Sequence, residues 1–406
     1  MAQGKRAMPV STLHQTTRAQ PLGDPLARAR ALGPLVAEAS DAIEREQRIP
    51  PSLLDALHAA RLFRLLLPRS AGGEECEPES YLRAVEEIGR HDGSVAWCMF
   101  VANSAGLIAA YLEPASARAI FADPRAAIAW GPPGADRAHG VPGGYRVSGR
   151  WSYASGCRHA TWMGAHCMVE EPDGSLRLND AGRPTVRTLL FPAERARLID
   201  DWDVIGLRGT SSGSYALDDL FVPETYSSTR EDPALARERG RLYAFPQQGL
   251  YTVGAAGTAL GIARGMMDAF LALATRKTPR ALGLSLARSP AVQMEFAQVE
   301  ARLGAARAYL LATLEEIWSD SAPRAPISVP DRARLRLAAT HAIQCAVEAA
   351  DWTYRAAGTD AIFTGSPFER RFRDIHTVSQ QIQARMANFE AVGRVMMGIE
   401  PETPFL

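Results

Sequence analysis

A mainly α-helical protein with a β middle domain is the fold class this sequence predicts, and three observations predict it. Apolar residues recur at helical spacing from about residue 25 to 123 and again from about 246 almost to the C-terminus. Between these stretches, from about 127 to 226, apolar and polar residues alternate and turn clusters punctuate the run. At 406 residues the chain also exceeds a single core, so two or three packed units are expected. The predicted organisation is a polar tail over 1–24, an N-terminal helical domain over 25–126, a middle β-domain over 127–238 and a C-terminal helical bundle over 239–406.

The elements follow in order. Leu32, Leu35/Val36, Ala39 and Ile43 mark one face of a first helix, and Pro50-Pro51-Ser52 opens the next. Ser94 to Leu112, SVAWCMFVANSAGLIAAYL, carries no charge over a length approaching a membrane span. Ser94, Asn103, Ser104 and Gly106 dilute it, so the expectation is a helix at the centre of the domain rather than one in a bilayer. Pro114 to Phe121 closes this unit. Strands are then expected around Tyr145, Val147 and Gly149, around Thr188 to Phe191, and around Tyr215, Leu217 and Leu220, with a turn at Pro172-Asp173-Gly174. After a charged linker at Thr229 to Arg241, the run Pro246 to Ala263 is uncharged. It is spaced by Gly254, Gly257 and Gly261, whose missing side chains let helix backbones approach closely. Two longer amphipathic helices, about 291–318 and 331–356, flank the loop SAPRAPISVP.

Forty-five basic residues balance forty-five acidic ones, which removes the charge signature of a nucleic-acid or anionic-membrane binder and leaves a small molecule as the expected partner. The five cysteines are scattered without a C-x-x-C pair, which suggests neither a disulfide framework nor a zinc ribbon. A reducing, cytoplasmic setting is expected, and the N-terminus shows no signal-peptide core. Cys157, His159, His166 and Cys167 are metal-ligand types in a spacing that matches no compact zinc module, so no metal is expected.

Phosphate-binding glycine motifs are absent: there is no G-x-x-x-x-G-K-[ST] and no G-x-G-x-x-G between a strand and a helix. Side chains and helix ends must then hold any phosphate-bearing cofactor. GRWSYASGC, Gly149 to Cys157, reads first as a half-buried strand ending in a turn, but it also offers the hydroxyls of Ser152 and Ser155 beside the flat rings of Trp151 and Tyr153. Asp201 to Ser214 combines Gly206, Gly209 and Gly213 with Thr210, Ser211 and Ser212, a loop suited to an anion or heterocycle or to a plain turn. Arg276, Arg280, Arg355, Arg370, Arg371 and Arg373 supply guanidinium forks that suit a diphosphate or simply solvent.

In their order and spacing, GRHDGSVAW (89–97), VSGRWSYASGC (147–157), DWDVIGLRGTSSGSYALDDLFVP (201–223) and GTDAIFTGSPFERRFRDIHT (358–377) resemble the acyl-CoA dehydrogenase family, most closely its two-component flavin monooxygenase branch. The resemblance covers nearly the whole chain from about residue 25. It implies an acyl-CoA dehydrogenase-like fold: an N-terminal helical domain, a β-barrel-like middle domain and a C-terminal four-helix bundle that forms a homotetramer. Flavin would lie between the middle and C-terminal domains, held partly by a neighbouring subunit. By motif position Tyr153, Ser155, Trp202 and Ser211 would line the flavin, and Trp97 would face the substrate. Arg276, and Arg355 with Gly358, would reach its phosphates.

The same resemblance bears on the reaction. Common family dehydrogenases carry a glutamate eight residues past the R-D pair, where this chain has Ile382, and no carboxylate lies between Ile375 and Met386. Proton abstraction beside a thioester needs a positioned base. Monooxygenases of the branch often read R-D-x-x-T-x-x-Q-H; here Arg373, Asp374, Thr377 and Gln380 match, and Gln381 stands in the histidine's place. Gln381 can hydrogen-bond but cannot take a proton near neutral pH. His376 is expected on another helical face. The implied activity is that of a monooxygenase using reduced flavin (FMN or FAD) from a separate reductase, with O2, through a C4a-(hydro)peroxyflavin near Ser155. The substrate would be small and aromatic or heteroatom-bearing, and Ser155 and Gln381 are the candidate catalytic residues. An acyl-CoA dehydrogenase or oxidase, and a non-catalytic binding protein, remain as alternatives.

Overall fold

The computed structural model describes residues 23–180, 182–229, 235–280, 283–323 and 325–400. The polar tail expected over 1–24 lies outside these residues except for its last two, as does part of the expected linker. Five helices come first: α1 (Pro25–Glu46), α2 (Pro51–Ala59), α3 (Pro78–His91), α4 (Gly93–Gly106) and α5 (Pro114–Phe121). Their starts follow local chemistry. Asp24 caps α1 by accepting from the Leu26 and Ala27 amides, and α1, α2, α3 and α5 each open on a proline, whose missing N–H costs nothing there. Every residue of α4 is buried among protein neighbours, so the uncharged run is the core helix expected of it.

Eight strands follow: β1 (Ile128–Trp130), β2 (Arg137–Val141), β3 (Gly144–Trp151), β4 (Trp162–Glu170), β5 (Val186–Pro192), β6 (Arg197–Ile199), β7 (Ser214–Pro223) and β8 (Ser227–Ser228). They form one mixed sheet in the order β6-β7-β3-β2-β4-β5-β8, with β1 parallel to β4. The long pair β3 and β7 runs antiparallel with an irregularity between Val147 and Gly149. Period-2 alternation buries Tyr215 and Leu217, and after the register shift at Asp218 and Asp219 it buries Leu220 and Val222. Trp151 stacks on Tyr215 at 5.4 Å where β3 ends, which fixes the start of the loop after it.

The C-terminal unit contains α6 (Gln247–Ala274), α7 (Pro290–Asp320), α8 (Val329–Ala357), α9 (Pro367–Ser379) and α10 (Ala387–Met396). The glycine run of α6 acts as its composition predicts: a Cβ at Gly261 would strike the backbone of Glu86 and Arg90, and one at Gly254 the side chains of Tyr81 and Phe100. α6 is thereby set directly against α3 and α4, and one apolar core joins the N-terminal helices to the bundle. The β-domain keeps a separate core of its own.

Candidate functional site at the junction of the three units

Three segments meet here: α4, the loop after β3 and the loop before β7. Asp92 sets the first by capping α4, its Oδ1 accepting from the Val95 amide at 3.0 Å while Oδ2 accepts from Ser40 Oγ at 2.7 Å. One turn into α4, the Trp97 indole N–H donates to Ser155 Oγ at 3.1 Å. Ser155 Oγ lies 2.6 Å from Ser212 Oγ, Ser212 Oγ lies 2.7 Å from Thr210 Oγ1, and Thr210 donates to the Leu207 carbonyl at 2.8 Å. All four side chains are buried. The β3 loop reaches Ser155 because Tyr153 and Gly156 both adopt left-handed φ, 61° and 79°, and because the Gly156 amide donates to the Thr210 carbonyl.

Leu207 carries a second acceptor role and a donor role. Its carbonyl also accepts from the Trp202 indole at 3.2 Å, and its amide donates to Asp374 Oδ1 of α9 at 2.6 Å. Asp374 therefore ties the β-domain loop to the bundle directly below α4. Burial, reinforced by the nearby Asp92 charge, pushes its carboxyl up to about 7. Close approach at this seam is built into Gly206, where a Cβ would collide with the Arg373 carbonyl and sit 2.6 Å from Thr377 Oγ1. Next to it Arg373 pairs with Glu369 and with Glu44 of α1 and donates to the Ile205 carbonyl.

Tyr153 is 66% exposed and meets Trp202 edge-on at 6.2 Å, so the pair presents an aromatic wall at the mouth of the buried hydroxyls. Inward, Phe100 meets Trp97 edge-on at 4.7 Å and Tyr251 edge-on at 5.0 Å, an aromatic run that joins α4 to α6. Ser211 behaves differently from its neighbour. Its φ of 47° turns its hydroxyl to the Gln47 carbonyl at the end of α1, so that Ser212 faces Ser155.

Gln381 lies beyond the end of α9 and caps a short 3-10 turn, its side-chain oxygen accepting from the Gln383 amide at 2.7 Å. Gln383 is buried, accepts from Thr252 Oγ1 at 2.6 Å and donates to Gln248 at 3.1 Å, which pins the turn to α6. The polar side chains of the turn from Gln381 to Ala384 are thus two amides, with no carboxylate among them. His376 points away, to Asp351 of α8 at 2.9 Å and the face of Phe372. Of the other arginines, Arg370 pairs with Asp41 and Arg371 donates to the Arg90, His91 and Pro367 carbonyls.

Arg276 and Arg355 are exposed near the C-terminal ends of α6 and α8, which Lys277 joins by donating to the Ala357 carbonyl at 2.6 Å and to Asp360. Gly358 follows with φ 60°. This group does not meet Ser155 within one chain. Gly93 lies against Ile262 and Phe100 against Gly254, so Trp97 sits near the level of Thr258. From there to Ala274 is about 24 Å of helix. Among the described residues no three His, Cys, Asp or Glu side chains gather as a metal site; His166 bonds Thr188 instead.

The order of helical unit, β-domain and bundle, with polar and aromatic side chains gathered at the seam, is that of the acyl-CoA dehydrogenase fold. The family model described as "Acyl-CoA dehydrogenase, N-terminal domain" matches residues 29–118, and that described as "Acyl-CoA dehydrogenase, C-terminal domain" matches residues 253–385, together more than half of the chain. The chain belongs to this family. It is 28% identical over 365 residues to the indole-3-acetate monooxygenase of Pseudomonas putida, covering 89% of this chain and 91% of that protein. It is 29% identical over 381 residues to the oxygenase component of the FADH(2)-dependent resorcinol hydroxylase of Rhizobium sp. (strain MTP-10005), covering 88% and 90%. The structure of XiaF from Streptomyces sp. in complex with FADH2 and glycerol superposes with a TM-score of 0.86 over 94% of this chain and 97% of that one; at 22% identity this is a likeness of fold.

Sequence reading had singled out Trp97, Tyr153, Ser155 and Trp202, and the structure brings these four together. It had named Ser211 rather than Ser212 for the flavin, whereas Ser212 is the one that meets Ser155, and it had not marked Asp374, Phe100, Tyr251 or Gln383 for the site. Asp374 carried one available signal: a lone acid between apolar Phe372 and Ile375 on a helix that otherwise shows a strong apolar face.

Proposed function

We propose that this chain is the oxygenase component of a two-component flavin-dependent monooxygenase acting on a small aromatic substrate. Reduced flavin, FMN or FAD, would come from a separate reductase, and when bound it supplies the two electrons with which O2 yields one oxygen atom to the substrate and one to water. The single observation that carries the reading is the composition of the seam. Ser155 is backed by buried hydroxyls and bounded by Trp97, Phe100 and Tyr251, and the turn at Gln381 to Ala384 offers no carboxylate. Such a cleft can hold an aromatic ring and exclude water, but it lacks the base that dehydrogenation of a thioester would need from this turn. Two relatives are themselves named for oxygenation of aromatic compounds, which supports the same reading.

The residues fit a flavin in two parts. Tyr153 and Trp202 suit the planar ring, and Ser155 its polar edge. Arg276, Arg355 and the backbone at Gly358 suit phosphate, but at about 24 Å of helix from the Trp97 level they would serve a flavin on a neighbouring subunit. The reading carries with it a homotetramer in which each site borrows these groups, in a cytoplasmic setting that would keep the five thiols reduced.

The test mixes the protein with anaerobically reduced FMN or FAD, then with isotopically labelled O2 and a panel of phenols and indoles. Incorporation of a single labelled atom into one of them is expected. Bleaching of bound oxidised flavin by an acyl-CoA, with no labelled product from any aromatic, would sink the reading in favour of a dehydrogenase.

A further inference from the structure

We propose that the pocket between the starts of α6 and α8 is a binding site for a small oxyanion, a phosphate or a carboxylate, and that its occupant steadies the Gln381 to Ala384 turn from behind. The inference goes beyond the flavin reading above and does not depend on it.

The pocket measures about 210 Å3 with its open mouth, and Pro246, Gly249, Thr252, Ile327, Arg332 and Arg336 line it. Arg332 and Arg336 stand one turn apart on α8, so both project to one face of the helix. Arg336 is only 5% exposed, and burial pushes its guanidinium down to about 10. A cation held out of water in this way gains from a nearby anion. Arg332 donates from Nε to the Ile327 carbonyl at 3.2 Å, which anchors its fork on the pocket wall.

The lining includes no carboxylate. Asp331, next to Arg332 in sequence, accepts instead from Ser328 Oγ at 2.6 Å and pairs with Arg334 at 3.2 Å. Pro246 and Gly249 belong to the start of α6, and Arg332 to the start of α8, so the positive ends of two long helices reinforce the two side chains. Paired guanidinium forks favour an oxyanion, which can receive two N–H groups at once, over a spherical ion.

This pocket is separate from the groups that suit a flavin phosphate in the same chain. Gly249 and Arg276 lie at opposite ends of α6, about 40 Å of helix apart. Its link to the candidate site runs through Gln383. Thr252, on the pocket wall, donates to Gln383 Oε1 at 2.6 Å. Thr340, one turn beyond Arg336 on α8, donates to the Gln383 carbonyl at 3.0 Å. An anion that joins α8 to the start of α6 therefore fixes both anchors of the turn. Arg332 and Arg336 are positioning residues in this respect.

The test is thermal melting of the full chain without flavin, in millimolar inorganic phosphate or acetate, against sodium chloride at the same ionic strength. The wild-type midpoint should rise by about 3–5 °C and then saturate. Arg336→Met should lose the rise, and Arg332→Gln should need about tenfold more anion for half of it. Without added anion Arg336→Met should melt no lower than the wild type, since a buried charge has gone. Should that variant fail to fold, Arg332→Gln carries the test alone. A rise with phosphate only assigns the site to phosphate, and one with acetate only assigns it to a carboxylate. A rise matched by sodium chloride, no rise, or one retained in both variants would overturn the inference. Amide exchange at residues 381–384 should slow about twofold or more at saturating anion in the wild type and stay unchanged in Arg336→Met. Exchange that ignores the anion in the wild type would equally overturn it. Because no flavin is present, these outcomes leave the labelled-oxygen test of the monooxygenase reading untouched.

Discussion

Replacing Asp374 by asparagine tests whether the seam between bundle and β-domain is under electrostatic stress. Asparagine keeps an oxygen to accept from the Leu207 amide, so the 2.6 Å link survives while the ionisable proton is lost. The carboxyl is raised from its ordinary 3.8 to about 7, first by burial and then by the Asp92 charge; Glu44 adds to the rise, and Arg370 and the Leu207 amide oppose it. A raised carboxyl means that between about pH 4 and 7 the folded protein keeps a proton that the unfolded chain has released, so this group's contribution to stability declines as pH rises through that window and is flat above it. Three pH units at about 1.4 kcal/mol each give a cost of about 4 kcal/mol for the ionised group above pH 7, and about half of that near pH 5.5. Asp374→Asn should therefore gain about 2 kcal/mol on the wild type between pH 5.5 and 8.5, read as a widening gap between urea midpoints followed by tryptophan fluorescence. A gap that stays constant with pH would refute the reasoning, because it would mean that Asp374 titrates in the folded protein as it does in the unfolded chain.

Ser155→Ala should leave the buried Trp97 indole without its acceptor, costing about 1–3 kcal/mol of stability; in turnover with reduced flavin, hydrogen peroxide release should rise at the expense of labelled product. Gln381→His puts a titrating ring where only an amide stands, and its neutral nitrogen can still accept from the Gln383 amide. The rate of product formation should then acquire a dependence on pH near 6.5 that the wild type lacks. Gly206→Ala forces a methyl against the Arg373 carbonyl and Thr377, so a loss of about 2 kcal/mol or more is expected by thermal melting, accompanied by weaker flavin binding as the Leu207 loop is displaced.

Much of the site was legible at the level of segments. The R-D motif, the W-S-Y-A-S-G strand end and the G-L-R-G-T-S-S-G loop are each local, and local sequence dictates where a strand stops and a turn begins. Trp97 and Ser155 could be placed in one cleft only by resemblance, because 58 positions separate them and nothing in either segment names the other. The choice between Ser211 and Ser212 was not legible. Both are small hydroxyl residues in one turn, and the left-handed φ of Ser211, which sends one hydroxyl to Gln47 and the other to Ser155, arises from contacts with α1 and α4. Gln381 and His376 were expected on two faces of one helix; the helix stops at Ser379, and Gln381 instead caps the turn that Gln383 anchors to α6.

The sequence alone determined the alternation of helical, β and helical units, the burial of α4 and the glycine seam of α6. Each follows from periodicity, side-chain size and missing charge, properties that a residue carries wherever it is placed. Only the tertiary structure decided which hydroxyl of the Ser211–Ser212 pair meets Ser155, and the raised carboxyl of Asp374. Both depend on which unlike groups are brought within about 3 Å and shut away from water, and that is a property of the packed seam between three units.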